Sequence, residues 1–214
     1  MELYTYFRSS AAFRVRIALN LKGVDYQSHF VHLVKGGGEH KQPEYVALNP
    51  QGFVPTLVDG DQVFTQSLAI IEYLDEVYPN PPLLPDTVRE RAYVRSLAQM
   101  VGCDIHPLNN QRVLKYLTHV LQQGEEERLN WYRHWIYEGF KAFEAHLAEN
   151  PGTGAYCYGD APTLADICLV PQVFNAKRFE CDLTAYPTVQ RIYDNCMKLT
   201  TFQAAAPENQ EDAE

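Results

Sequence analysis

The chain changes character at one place, and that break limits its fold more than any other feature. Ahead of the run Asn80-Pro81-Pro82-Leu83-Leu84-Pro85, short strand patterns alternate with helical ones; behind it nearly every stretch is helical. A connector this dense in proline continues neither a helix nor a central strand, so it marks a boundary. We expect an α/β domain over residues 1–80, a linker over 81–85, an all-helical domain over 86–206 and a flexible acidic tail over 207–214. A chain of 214 residues is long enough for two small domains.

In the first half, Leu3 to Phe7 alternates like a strand and leads into a helix from about Ala11 to Lys22, closed by Gly23. Phe13, Ile17 and Leu21 recur every four residues, with Val15, Ala18 and Leu19 widening the apolar face. Val24 to Val31 reads as a second strand. After Gly36-Gly37-Gly38 and a short helix, Val54–Val58 and Gln62–Phe64 form a hairpin around Asp59-Gly60-Asp61. A helix from Ser67 to Tyr78 ends at Pro79. The order βαβ then ββα packs helices on a small mixed sheet. In the second half, Arg89 to about Thr118 and Glu125 to about Ala148 are long periodic stretches. Thr163-Leu164-Ala165-Asp166 is a capping-box variant opening another helix, and a last helix runs from about Thr188 to Leu199.

Charge and cysteine usage exclude several classes. Eighteen Lys and Arg against 27 Asp and Glu leave a net charge of −9, the opposite of a nucleic-acid or anionic-membrane binder. No apolar run approaches the ~18–20 residues that span a bilayer. The N-terminus lacks the basic and apolar regions of a secretory signal. The five cysteines fit neither a disulfide framework nor a zinc site, so we expect free thiols, no metal and a reducing cytoplasm.

Three places carry candidate chemistry. In Phe7-Arg8-Ser9-Ser10-Ala11-Ala12-Phe13-Arg14, two hydroxyls lie between a strand end and a helix start. A serine there serves as an N-cap worth about 1 kcal/mol, or presents a hydroxyl to an anion held at the helix N-terminus. Two adjacent serines flanked by Arg8 and Arg14 favour the second role. Val54-Pro55 precedes a strand; it is either an edge-strand proline or a cis turn that turns the Val54 N–H and C=O outward, at ~0.5–1 kcal/mol for the cis bond. Gln66-Ser67 opens the next helix and either caps it or receives a carboxylate. In the helical half, Pro107 is expected to kink its helix, with His106 and Asn110 on one face and Arg112 turned elsewhere unless the kink redirects it.

These motifs together resemble the zeta class of glutathione transferases, along nearly the whole chain. Tyr6-Phe7-Arg8-Ser9-Ser10, Arg14-Val15-Arg16-Ile17-Ala18-Leu19, Ala47-Leu48-Asn49-Pro50, Val54-Pro55-Thr56-Leu57, Gln66-Ser67-Leu68-Ala69 and Thr163-Leu164-Ala165-Asp166 carry the likeness, as do Gly159-Asp160, Arg178-Phe179 and Asp182-Leu183-Thr184. Val-Pro and Gln-Ser mark glutathione transferases broadly; the double serine followed by arginine narrows the match to zeta. The resemblance implies a thioredoxin-like N-terminal domain, an all-α C-terminal domain, a cytoplasmic homodimer, and glutathione as the cofactor. It also implies cis–trans isomerisation of an unsaturated diacid by reversible thiolate addition to its double bond. Three alternatives stay open: the same chemistry on a shorter diacid, a general glutathione transferase or peroxidase acting on electrophiles, and a non-catalytic glutathione-binding module.

By the same resemblance Ser9 donates to the glutathione thiolate, with Ser10, Ala11 and Arg14 around it. His40 reaches the glycyl end, Val54 and Pro55 meet the cysteinyl backbone, Gln66 and Ser67 hold the γ-glutamyl group, and further contacts fall on His106, Asn110, Gln111 and Arg112. Arg8, Arg112 and Arg178 are expected to receive the carboxylates of a dicarboxylate substrate, Arg8 from beside the reacting centre. The family's third motif position is cysteine, and here it is Ala11. The nucleophilic sulfur is therefore expected to be glutathione's own.

Overall fold

The computed structural model describes residues 1–214, and their contacts fall into two units, Met1–Pro82 with Lys198–Glu214, and Leu83–Met197. The first unit holds a four-stranded sheet in the order β2-β1-β3-β4. Its strands are β1 (Glu2–Thr5), β2 (Gln27–Phe30), β3 (Thr56–Asp59) and β4 (Gln62–Thr65). β1 runs parallel to β2 and antiparallel to β3, and β3 pairs with β4 across the hairpin at Gly60. Helix α1 (Ser10–Lys22) makes the parallel crossover, α2 (Pro43–Leu48) precedes β3, and α3 (Ser67–Val77) follows β4.

Helix α1 ends where glycine allows it to end. Gly23 sits at φ 63, and its N–H closes back on the Leu19 and Asn20 carbonyls. The helix is buried on more than one face, because two arginines lie inside with the apolar residues: Arg14 and Arg16 are 2% and 0% exposed. Arg16 spends its guanidinium on backbone and hydroxyl oxygens: Nε donates to the Ala205 carbonyl at 3.0 Å, Nη1 to Thr5 Oγ1 at 3.0 Å and Nη2 to the Phe7 carbonyl at 3.0 Å. Burial lowers its pKa from the usual arginine value to about 10, so it stays a cation at neutral pH.

The expected boundaries change at the C-terminus. Residues 198–206 were expected with the helical half and 207–214 as a flexible tail, yet both pack on the first unit. Helix α10 (Thr200–Ala205) is held there by Arg16 and by the Asn20 side-chain amide, which donates to the Thr201 carbonyl at 2.9 Å, and Phe202 is fully buried. Further on, Asp212 accepts from the Phe7 N–H, and Glu214 pairs with Lys35 at 2.7 Å. The acidic composition signals a solvated tail, but these carboxylates find cations and an amide that lie far away in sequence.

The second unit is helical throughout: α4 (Val88–Gln99), α5 (His106–Asn109), α6 (Gln111–His119), α7 (Glu125–Glu149), α8 (Leu164–Arg178) and α9 (Pro187–Cys196). Tyr132, Ile136, Phe140, Phe143 and Leu147 give α7 a buried stripe of helical period. At the start of α8, the Asp166 carboxylate accepts from the Thr163 N–H, the Thr163 hydroxyl and the Cys157 N–H, each at 2.8 Å. The five cysteines form no disulfides with one another, and no cluster of side chains has the makings of a metal site.

Candidate active site

The end of β1 and the start of α1 build the first element of the site. Ser9 is the N-cap of α1, and its Oγ accepts from the Ala12 N–H at 3.2 Å. The capping role weighed in the sequence is thus real, but it does not exclude the other. A hydroxyl that accepts through a lone pair still has its proton to donate. Ser9 is half-buried whereas Ser10 is buried, so Ser9 is the more accessible of the two. No acidic residue lies in the first turn of α1 to offset the positive potential of the helix N-terminus. Ala11 is half-buried in that turn, and Arg8 is exposed with its guanidinium over the Phe7 ring at 4.7 Å.

The second element is the start of α3. Gln66 holds φ 69, in the left-handed region that non-glycine residues rarely adopt. Such strain persists where the surrounding structure imposes it, and it clusters at binding sites. The exposed Gln66 side-chain amide donates to Gln51 Oε1 at 2.8 Å. Ser67, the first helical residue, is buried and accepts from Arg14 Nη1 at 3.4 Å. Arg14 thus reaches from α1 to the start of α3, placing a buried cation beside the hydroxyl expected to meet a carboxylate.

The third element is the turn before β3. The Val54–Pro55 peptide is cis. Tyr45 donates its hydroxyl to the Phe53 carbonyl at 2.6 Å, and the Asn49 amide reaches the same carbonyl at 2.8 Å and Thr56 Oγ1 at 3.1 Å. Burial raises the Tyr45 pKa, which keeps that hydroxyl a donor. Gly52 has φ 61, and a Cβ there would meet the His40 carbonyl oxygen at 2.9 Å, so only glycine lets His40 lie this close to the Val54 turn. His40 itself is half-buried in a 3-10 turn, Glu39–Lys41.

The remaining candidates lie in the second unit, and there the local structure differs from expectation. α4 leads through a π-helical stretch, Met100–Ile105, into α5, which stops at Asn110 with extended dihedrals of φ −66 and ψ 145. Pro107 has no N–H to give to the preceding turn, which the widened π-helical stretch accommodates. Asn110 then starts α6 as its N-cap, its Oδ1 accepting from the Arg112 N–H at 3.0 Å. His106 and Asn110 therefore do not share one helix face; the chain breaks between them. Gln111 and Arg112 are exposed in the first turn of α6. Arg178 ends α8, exposed, with its guanidinium 5.2 Å from the centre of the Phe179 ring.

Sequence reasoning missed Arg16, Gln51, the Tyr45–Asn49 brace and Asp212. Arg16 left only a weak signal, a cation inside a helix whose apolar residues already spread well beyond one narrow face. Asp212 left none, because its partner is 205 residues away.

Residues 8–77 match the family model of the glutathione S-transferase N-terminal domain, and residues 136–208 that of the C-terminal domain. The chain is 52% identical, over 99% of its own length and 97% of the relative's, to a probable maleylacetoacetate isomerase of Vibrio cholerae. It superposes with a TM-score of 0.97, at 50% identity and full coverage of both chains, on a maleylpyruvate isomerase described as a bacterial zeta-class glutathione S-transferase. With a TM-score of 0.96, at 44% identity and full coverage of both, it superposes on a maleylacetoacetate isomerase from Methylobacterium extorquens bound to malonate and glutathione.

Proposed function

The chain belongs to the glutathione S-transferases, in their zeta class, and on that premise we propose that it is a glutathione-dependent isomerase converting maleylacetoacetate to fumarylacetoacetate, a step of tyrosine and phenylalanine breakdown. The observation that carries this reading is Ser9, a half-buried hydroxyl with a proton to spare at the mouth of a helix whose first turn holds no acid.

The donor set of the first unit fits the tripeptide. An ionised sulfur suits Ser9 and the α1 N-terminus, and a γ-glutamyl carboxylate suits the start of α3, where Ser67 lies against the buried Arg14 cation. We assign Ser10, Ala11 and Arg14 to the surroundings of the sulfur, Val54 and Pro55 to the cysteinyl backbone, Gln66 and Ser67 to the γ-glutamyl group and His40 to the glycyl end. Bound there, glutathione would supply a nucleophilic thiolate for reversible addition to the electron-poor double bond, chemistry that makes that carbon–carbon bond single and free to rotate. Ser9 and the helix N-terminus hold that thiol ionised, against an ordinary pKa of about 8.5. Arg8, Arg112 and Arg178 take the substrate's carboxylates, and His106, Asn110 and Gln111 supply polar contacts. The malonate in the relative's structure supports a dicarboxylate as ligand.

A second reading, isomerisation of the shorter maleylpyruvate, is favoured by the TM-score of 0.97 against an enzyme of that name. The two are separated by kcat/KM measured on both diacids with glutathione. Our reading expects maleylacetoacetate to lead by about tenfold or more, equivalent to ~1.4 kcal/mol of transition-state discrimination. The reverse order assigns the shorter diacid, and no turnover of either refutes both. We further propose a cytoplasmic homodimer. No helix is long and apolar enough to cross a membrane, the cysteines are free, and Val63 and Val77 stand exposed on the first unit. Sedimentation at working concentration tests the dimer.

A further inference from the structure

Phe7, one residue ahead of Arg8 and two ahead of Ser9, has both of its backbone groups held from a distance. Its N–H donates to Asp212 Oδ2 at 3.0 Å, and its carbonyl accepts from Arg16 Nη2 at 3.0 Å. Arg16 Nη1 also reaches the Tyr6 carbonyl at 3.4 Å, the same oxygen that accepts the Ser9 N–H at 2.9 Å. The two side chains also answer each other. Burial lowers the Arg16 pKa, Tyr26 and then Asp212 favour its charged form against that fall, and the second Asp212 oxygen is itself buried without a hydrogen bond. Backbone groups tied to charges in this way retain little freedom, because charge-assisted hydrogen bonds are shorter and stronger than neutral ones.

We propose that Asp212 and Arg16 are a positioning pair for the reaction, fixing the path of residues 6–9 and so the spot at which Ser9 presents its hydroxyl. The proposal rests on the glutathione reading above. Neither residue is assigned a contact with ligand; both act through Phe7 and Tyr6. The sign of one measurable effect separates positioning from direct electrostatics. A carboxylate near a developing thiolate opposes it, so if Asp212 acted through its charge, removing it would lower the pKa of bound glutathione. If it acts by placing Ser9, removing it misplaces a donor and raises that pKa.

The experiment compares the wild type with Asp212→Ala, Asp212→Asn and Glu211→Ala, the last a change at an exposed neighbour. Three readouts are needed: hydrogen exchange at the Phe7 and Ser9 amides without ligand, the pH titration of thiolate ultraviolet absorbance with glutathione bound, and kcat/KM. Asp212→Ala is expected to speed exchange at both amides, raise the bound-thiol pKa by about 0.5 unit or more, and lower kcat/KM about three- to tenfold. Asp212→Asn, which keeps a carbonyl acceptor, is expected to show a smaller shift of the same sign and stands in if Asp212→Ala does not fold. Glu211→Ala is expected to match the wild type. An unchanged or lowered thiol pKa in Asp212→Ala and Asp212→Asn, whatever their melting temperatures, overturns the proposal. A wild type without any glutathione thiolate signal sinks the functional reading instead, and the amide exchange then still reports on the clamp.

Discussion

A serine at a helix N-cap has done its structural work once its oxygen accepts an amide proton; Ser9 does this for Ala12 and keeps its own proton free. Replacing it with alanine removes both contributions. The cap costs about 1 kcal/mol of stability, while the lost donor to the thiolate is expected to cost at least about tenfold in kcat/KM with glutathione. Steady-state kinetics beside a melting curve distinguishes the two, because a cap defect alone leaves the rate of the folded protein intact. Arg16 is the opposite kind of residue, buried completely and spent on the scaffold. Arg16→Met would leave the Thr5 hydroxyl and the Phe7 and Ala205 carbonyls without their donor. We expect a loss of roughly 3 kcal/mol or more, read from denaturant midpoints at unchanged slope.

Among the elements, those with a local stop signal were legible in the sequence. Gly23 closes α1, Gly60 turns the β3–β4 hairpin, and Thr163 with Asp166 opens α8, each because one residue type meets a local backbone demand. The break at Asn110 was not legible, since Pro107 announces a disturbance without saying whether the chain bends, widens into π-helix or restarts. Here it does all but bend smoothly, and Asn110 becomes a cap rather than a partner of His106. Asp166 is the element-scale residue on which most depends: fully buried, its pKa is raised by burial even though amides and a hydroxyl bind it. Asp166→Ala would orphan the Thr163 and Cys157 amides. The predicted cost is ~2–4 kcal/mol, measurable by chemical denaturation, with little change in glutathione affinity of the protein that remains folded.

At the scale of the whole molecule, the two-part organisation was readable from the proline connector, and the candidate residues of the first unit come from motifs that the family resemblance made recognisable. The return of residues 198–214 to the first unit was not, because it depends on pairs such as Arg16 with Ala205 and Phe7 with Asp212 whose members are separated by most of the chain. That return has a pH signature. Lys35, first by hydrogen bonding and then by its charge, lowers the Glu214 pKa below the usual carboxylate value. A depressed folded-state pKa contributes stability that is present above the unfolded pKa and lost as pH falls through the folded one. The tail is therefore expected to be held at neutral pH and to loosen on acidification below the ordinary glutamate range, a change that proteolysis of the C-terminus or amide resonances of residues 207–214 would record. A tail equally protected at both ends of that range would contradict the pairing.

We propose that the reacting sulfur is supplied by glutathione and held ionised by this chain, since Ala11 occupies the motif position at which the family resemblance leads one to expect a cysteine. The most direct measurement is the cis-to-trans conversion of maleylacetoacetate by the purified protein with and without glutathione. Turnover is expected to saturate with glutathione and to vanish when it is left out; conversion at the same rate in its absence would show that the sulfur is not glutathione's.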